Sequence, residues 1–327
     1  MNILVTGGAG FVGSACTRWL VKHGHNPVAY DNMKEGHKSA VPDGRLVVGD
    51  IQSTDALAAL MTRLRTDAVM HFAAATYVGE SVTNPDYHYG NNVGGTLSLL
   101  RAMQKAGVKR MLFSSTCATY GMNPKVPMNE ESAQDPFSPY ARTKLAVEWM
   151  IRDFAHAYGL GFTLLRYFNA AGADEDARHG EDHRPETHII PLVLDIPMGR
   201  RKEFTLFGTD YPTPDGTCIR DYIHTADLAQ AHQLAIEATT DKTAEVYNIG
   251  TGNGQSNLQI IKACEEVTGV KVPIKTAERR PGDPPALVAD PTKLKARLGW
   301  KPKYGNIVDT VRTAWNWHRA NPSGYPD

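Results

Sequence analysis

Cysteine is scarce in this chain: four residues, Cys16, Cys117, Cys218 and Cys264, lie far apart, and none forms a C-x-x-C pair. That excludes a disulfide framework and a cysteine-built zinc site, and the thiols are expected to be reduced. Charge of one sign is also missing. Lys plus Arg and Asp plus Glu each total 35, so the formal net charge is zero and nothing favours nucleic acid or an anionic membrane as a partner. No stretch approaches the roughly 18 uninterrupted apolar residues of a membrane span, and the chain runs from Met1 straight into NILVTGG without a basic, apolar leader. A soluble, cytoplasmic protein acting on a small molecule is expected. Internal repeats, low-complexity tracts and charge blocks are absent too.

What is present is alternation. Short apolar runs (NILVT, PVAY, RLVV, AVMHF, RMLF) alternate with longer helical patterns from Phe11 to Gly24, from Asp55, and from Pro85 to Ala106. This is the signature of βαβ units building a parallel sheet, so the fold class is α/β. After LLRYFN at 164–169 the texture changes to AAGADEDARHGEDHRPETH, which reads as a long loop opening a second region. The expected division is 1–168 and 169–327, with a late strand, EVYNIG at 245–250, returning to the first sheet.

Between NILVT and the first helix lies TGGAGFVG, in which Gly7, Gly10 and Gly13 form G-x-x-G-x-x-G. Glycines there let backbone approach a pyrophosphate, and the helix N-terminus offers free N–H groups with partial positive charge. Asp31 closes the second strand 18 residues after Gly13, where its carboxylate accepts from adenine ribose hydroxyls and repels a 2′-phosphate, favouring NAD over NADP. A second run, Gly250, Gly252 and Gly254, lacks the following acidic residue and reads as a tight turn, with Ser256 capping the next helix.

Two further stretches bear on chemistry. In SSTCATYG at 114–121 the thiol of Cys117 invites comparison with the hydroxyls, but no histidine neighbours it in sequence to make a thiolate. A small, buried side chain is the expected role. Tyr140-Ala-Arg-Thr-Lys144 opens a helical segment 24 residues after Thr116, and its i, i+4 spacing puts phenol and ammonium on one face. The H-x-x-x-H of His179 and His183 sits in a Gly/Pro-containing loop that would not hold both rings on one face, so no metal is expected.

Taken together, TGGAGFVG, HFAA, VGESV, NNVGGT, SSTCATYG, YARTK, LRYFNAAGA, GTDYPTPDGT, RDYIH, YNIGTGNG, RRPGD and GYPD span both halves of the chain. In this set the chain resembles the UDP-glucose 4-epimerase family of the extended short-chain dehydrogenase/reductase superfamily. The resemblance implies a Rossmann-type, doubly wound parallel sheet that holds NAD and a smaller C-terminal α/β domain that binds a UDP-sugar. It also implies a homodimer joined through the helices near 85–106 and 140–158. By resemblance the cofactor site comprises Gly7, Gly10, Phe11, Val12, Gly13, Asp31, Asn32, Asp50, Ile51, Phe72, Ala73, Ala74, Asn92, Ser114, Tyr140, Lys144 and Tyr167. The substrate site comprises Thr116, Tyr140, Asn169, His188, Ile189, Phe207, Arg220, Tyr222, Arg280, Asp283 and Leu287. Thr76 stands where some members carry a lysine near the cofactor ribose.

The implied mechanism uses Thr116, Tyr140 and Lys144. Tyr140 takes the sugar 4-hydroxyl proton while hydride leaves C4; the 4-keto sugar turns its other face and takes the hydride back. Bringing a phenol from a pKa near 10 to about 7 needs roughly 4 kcal/mol. One cation about 4 Å away at an effective dielectric of 20 supplies about that much, which assigns the task to Lys144 with help from the nicotinamide charge. A related 4,6-dehydratase or decarboxylase typically has an acid directly after the catalytic Ser or Thr, where this chain has Cys117 and Ala118. A non-catalytic NAD sensor usually lacks the Tyr or Lys. UDP-N-acetylhexosamines and UDP-pentoses remain alternative substrates. Leu287, smaller than the Tyr some members carry, leaves room beside the sugar's 2-substituent.

Overall fold

In the computed structural model, which describes residues 1–122, 125–280 and 282–327, the apolar runs become strands of one sheet. The first half runs β1 (Asn2–Thr6), α1 (Phe11–Lys22), β2 (Asn26–Asp31), β3 (Leu46–Val48), α2 (Thr54–Leu64) and β4 (Ala68–His71). It continues with α3 (Val78–Thr83), α4 (Pro85–His88), α5 (Gly95–Ala106), β5 (Arg110–Thr116), α6 (Pro139–Tyr158) and β6 (Gly161–Tyr167). The second half runs β7 (Asn169–Ala171), α7 (Ile189–Leu194), β8 (Phe204–Phe207), β9 (Ile219–His224), α8 (Thr225–Ala238) and β10 (Ala244–Ile249). It closes with β11 (Gly254–Ser256), α9 (Asn257–Thr268), β12 (Ile274–Ala277), β13 (Ala286–Leu287), α10 (Thr292–Leu298) and α11 (Ile307–Ala320).

The main sheet has seven parallel strands in the order β10-β6-β5-β4-β1-β2-β3. Its strands carry near-continuous apolar runs because both faces are covered. Alternate residues go to opposite sides: Leu4, Val69, Met111, Phe113 and Leu164 pack with Leu60, Leu100, Met103 and Ile151 of α2, α5 and α6. Ile3, Val5, Met70, Leu112 and Leu165 pack with Leu20, Leu228 and Ala235 of α1 and α8. Each such fully buried large side chain contributes about 1.5–3 kcal/mol. This is a doubly wound Rossmann-type sheet, and its strand order reverses between β1 and β4, where ligands of such sheets bind.

Outside it, β11-β9-β13 form a small sheet with β7 on β9, and β8 pairs with β12. Ile190, Val193, Ile260, Ile261 and Val311 of α7, α9 and α11 make a separate core over these strands. Two details differ from the sequence expectation. The segment from Pro85 to Ala106 is not one regular helix, since Tyr89–Gly94 widens into a π-helical turn. The loop after LLRYFN begins with a short strand, β7, paired in parallel with β9.

Candidate active site

The glycine positions are dictated by crowding. A Cβ on Gly13 would stand 2.1 Å from the Gly7 carbonyl oxygen, and one on Gly7, at φ +70°, would stand 2.4 Å from the Ala73 nitrogen. Gly10 is the N-cap of α1 and supplies no capping side chain, so the first-turn N–H groups at Phe11 and Val12 have no side-chain partner there. The Asp31 carboxylate, almost fully buried, accepts from the backbone N–H of Ala9 (3.0 Å) and Met33 (2.9 Å). It ties the loop to the end of β2. A loop without room for side chains, an uncapped helix N-terminus and an adjacent buried carboxylate fit a dinucleotide diphosphate and ribose.

Around this loop, Phe72 and Ala73 donate their N–H groups to the Thr6 carbonyl at 2.9 and 3.1 Å, with Ala74 half-buried beyond them. Asn32 donates to Asp50 at 3.4 Å, and Ile51 is buried where a Cβ on Gly95 would meet it. Asn92 behaves differently from the rest of the expected cofactor set. Its amide accepts from the Ala75 N–H (2.7 Å) and donates to the Ala75 carbonyl (3.0 Å) and to Thr143 (3.0 Å). It latches the π-helical turn to α6, a job that a buried amide does only when both ends are paired.

SSTCATYG ends β5 and turns through Cys117–Tyr120. Each hydroxyl has a distinct partner. Ser114 pairs with the Tyr167 phenol (2.6 Å), Ser115 donates to Glu148 (2.5 Å), and Thr116 accepts from the Ala118 N–H (3.2 Å). Burial pushes the Cys117 thiol up to about 12, so it is no thiolate at neutral pH and no nucleophile. Helix α6 starts at Pro139 with Ser138 as cap, accepting from the Ala141 N–H at 3.2 Å. The first turn thereby presents Tyr140, and the next presents Lys144.

The electrostatics of that pair depart from the sequence argument. Burial pushes the Tyr140 phenol well above its ordinary value; Tyr167 adds to the rise, and the Thr116 hydroxyl within reach opposes it. Burial also pulls Lys144 down to about 7, against the attraction of Glu148, and its Nζ donates to the Ser114 carbonyl at 2.9 Å. Lys144 without ligand therefore loses its proton more readily than an ordinary lysine, and its ammonium is directed to a backbone carbonyl.

One cluster escaped sequence reasoning. Arg166 of β6 forms a two-point ion pair with Glu148 of α6 (Nε to Oε1 2.9 Å, Nη2 to Oε2 2.5 Å), both side chains almost wholly buried. Arg166 also donates to the Tyr120 hydroxyl (3.0 Å), which donates to Asn248 of β10 (2.7 Å). The available signals were an arginine interrupting LLRYF and a glutamate four residues after Lys144 on the same face of the helix.

On the substrate side, Arg220 of β9 donates to the carbonyls of Ile219 (2.9 Å) and Pro284 (2.8 Å) and lies 3.7 Å from Asp283. Arg280 pairs with Asp283 at 3.0 Å and covers the ring of half-exposed Phe207 at 5.3 Å; Pro281 between them lies outside the described residues. Asn169 is registered opposite Tyr222, and Leu287 opposite Arg220. Leu287 is buried in a cluster with Cys117, Tyr120 and Phe168, which sets it against the turn that follows Thr116. His188 caps α7 ahead of Ile189, but its ring faces Glu181 and Glu186 at 2.9 Å each.

The second glycine run cradles an internal anion. Asp221 accepts from the N–H groups of Thr251 (2.8 Å), Gly252 (2.9 Å) and Ala289 (3.2 Å), and Ser256 caps α9 in a reciprocal box with Gln259. In HGEDH the two histidines part company. His179 meets the Ser14 hydroxyl (2.8 Å) and stacks on Phe11, whereas His183 joins Glu181, Glu186 and His188. There burial opposes the charge, but the two carboxylates outweigh it and hold His183 up to about 9 and His188 up to about 10.

A family model described as GDP-mannose 4,6 dehydratase matches residues 4–312. The UDP-glucose 4-epimerase of Halalkalibacterium halodurans is 47% identical over 326 residues, covering 99% of this chain and 98% of that protein. Among solved structures, UDP-glucose 4-epimerase from Brucella ovis in complex with NAD is 48% identical, with a TM-score of 0.93 and coverage of 97% and 98%. The Bifidobacterium longum UDP-glucose 4-epimerase in complex with NAD+ and UDP is 37% identical, with a TM-score of 0.94 and coverage of 99% and 100%.

Proposed function

The chain belongs to the UDP-glucose 4-epimerase family, and from that premise we propose how its residues divide the work. The enzyme epimerises C4 of UDP-glucose, giving UDP-galactose, with NAD as cofactor. When bound, NAD supplies the hydride acceptor for C4 and a positive nicotinamide ring. Tyr140 takes the 4-hydroxyl proton and later returns it, and Thr116 hydrogen-bonds the same oxygen. Lys144 holds the phenol side of the cleft to the Ser114 carbonyl and sheds or takes a proton near neutrality.

The observation that carries this reading is that α6, with Tyr140 in its first turn and Lys144 in the next, is bonded to the end of β5 that bears Thr116, Lys144 Nζ donating to the Ser114 carbonyl at 2.9 Å. In the ligand-free chain Tyr140 is a weak base, because desolvation outweighs the nearby donors. The positive nicotinamide ring of bound NAD would favour the phenolate. The dehydratase reading suggested by the family model's description is disfavoured. The carboxylic acid that such enzymes typically carry directly after the catalytic hydroxyl is replaced here by Cys117 and Ala118.

Residues 1–168 with β10 hold the cofactor, and the rest of 169–327 holds the UDP-sugar through Asn169, Arg220, Tyr222, Arg280 and Asp283. The separate core of α7, α9 and α11 supports that division. The protein is a cytoplasmic homodimer serving galactose metabolism. Its pairing through α6 and the 85–106 helices is supported by the exposed Trp149 and Tyr89 there, and its compartment by four free, buried thiols. Among the described residues no helix is long and apolar enough to cross a membrane.

Purified enzyme given UDP-glucose and a trace of NAD is expected to form UDP-galactose to equilibrium without accumulating free NADH. NADH rising in step with substrate loss would identify a dehydrogenase and overturn the assignment.

A further inference from the structure

Residues 181–188 read E-D-H-R-P-E-T-H, and the mechanism uses none of this motif beyond an expected substrate contact at His188. In the structure Glu181, His183, Glu186 and His188 each offer one ligand atom, and these atoms all lie within 4.8 Å of one another. His188 Nδ1 is 2.9 Å from Glu181 Oε1 and 2.9 Å from Glu186 Oε1; His183 Nδ1 is 3.3 Å from Glu181 Oε1 and 3.6 Å from the other Glu186 oxygen, Oε2. Tetrahedral coordination with bonds of about 2.0–2.1 Å puts neighbouring ligand atoms about 3.3–3.4 Å apart. The observed separations bracket that spacing.

A second observation concerns direction. Glu181 is almost fully buried, yet its Oε1 has no hydrogen-bond partner despite two imidazole nitrogens within 3.3 Å, and the Nδ1 of His183 is unpartnered as well. Glu186 Oε1 accepts from the N–H groups of Thr187 and His188 at 2.7 Å each, and its Oε2 lies 3.6 Å from His183 Nδ1. The ion pairs of Glu181 with His183 and His188 lack hydrogen-bond alignment, and a cation held among the same atoms would use those lone pairs instead.

We propose that Glu181, His183, Glu186 and His188 form a structural site for one divalent cation of the zinc class. Two imidazole nitrogens disfavour calcium and magnesium, which select all-oxygen sets. Four protein ligands leave no open position for catalysis, which marks the site as structural. Two carboxylates and two neutral imidazoles balance the cation's charge. The competing occupancy is two protons on the same nitrogens, equal in charge, so the exchange of protons for a cation leaves the pocket neutral.

The consequence is a clasp. The ring of His183 meets the Phe11 ring edge-on at 6.0 Å, and His179 of the same loop stacks on Phe11 and bonds Ser14. A cation here fastens the loop between β7 and α7 against the N-terminal turn of α1. The site stands apart from the assignment of the epimerase residues, since its test reads metal and not turnover.

Full-length, tag-free, NAD-loaded protein is stripped with chelator, reloaded with zinc chloride and freed of excess by gel filtration. Elemental analysis is expected to find about one zinc per chain. Cobalt(II) in its place is expected to give the intense visible bands of a four-coordinate site, and calcium or magnesium to displace neither. Glu181→Gln and His183→Asn should each weaken zinc binding by about a hundredfold or more, at least the loss that even outer-shell changes cause. His156→Ala, an exposed histidine on α6, should leave it unchanged. Zinc below about a tenth per chain, a weak six-coordinate cobalt spectrum in the wild type, or full binding by folded Glu181→Gln would overturn the proposal.

Discussion

Replacing Arg166 with Met is the sharpest probe of how the active-site turn is held. Glu148, whose side chain is 1% exposed, would keep only the Ser115 hydroxyl as a partner, and Tyr120 would lose a donor. Stranding one half of a buried ion pair costs about 3–5 kcal/mol. The unfolding entropy of about 2.1 cal/mol/K per residue gives, for 327 residues, about 0.7 kcal/mol/K. The Tm should therefore fall by about 4–7 °C, measured by calorimetry with saturating NAD on all variants. Turnover should fall too, because Ser115 and Tyr120 flank Thr116 in the same turn. The double variant Glu148→Met/Arg166→Met removes both charges and should be more stable than Arg166→Met alone, since an apolar pair avoids the stranded charge. A single variant melting within about 1 °C of wild type, or a double variant losing the sum of both singles, would refute the reasoning.

Tyr140→Phe should abolish epimerisation while NAD still co-purifies, and Thr116→Val should lower kcat by about ten- to a thousandfold, as losing a transition-state donor does. Cys117→Ser should leave turnover nearly unchanged, and the native thiol, held up near 12 by burial, should resist iodoacetamide until the chain unfolds. His71 is pulled down from 6.5 to about 3 by burial and by Lys144, so the folded chain binds fewer protons there than the unfolded one. Its contribution is complete above pH 6.5 and is lost as the pH falls toward 3; denaturant titrations of His71→Gln should show a slope flatter by about 1.4 kcal/mol per pH unit in that window. Leu287→Tyr should remove UDP-N-acetylglucosamine turnover and spare UDP-glucose turnover; equal loss of both would mean that overpacking the Cys117 and Phe168 cluster, at about 1–3 kcal/mol, is the whole effect.

The main sheet was legible because its rules are local. NILVT, AVMHF and RMLF each carry three consecutive apolar residues, as strands covered on both faces do, and Gly7 and Gly13 are required by clashes with backbone only a few residues away or across one strand end. Tyr140 and Lys144 were visible for the same reason, one helical turn apart. What stayed hidden depends on distant partners. Arg166 finds Glu148 across a helix-strand contact, and the latch of Asn92 onto Ala75 follows from a π-helical turn that no periodicity announces. The lowered pKa of Lys144 was not legible because burial, not spacing, sets it. HGEDH was weighed as a pair of histidines, when the relevant set interleaves His183 and His188 with two carboxylates.

The chain leaves the main sheet at Tyr167 and re-enters it beside the same strand at Ala244, with β10 registered on β6 from Ala244–Phe162 to Ile249–Tyr167. During synthesis, β6 must therefore wait with one edge bare until the whole excursion through β7, β8, β9 and α8 has emerged. At roughly 5–20 residues per second, that interval lasts on the order of several seconds. An unpaired edge rich in Phe, Thr and Leu templates foreign strands, and β6 offers no proline and only Arg166 as a charge to deter them. Arg166 is pinned to Glu148 once α6 is folded, so the very pair that orders the catalytic turn withdraws the last guard from that edge. Nascent chains of this protein should thus depend on chaperone cover during the window between residues 167 and 244, and on little afterwards.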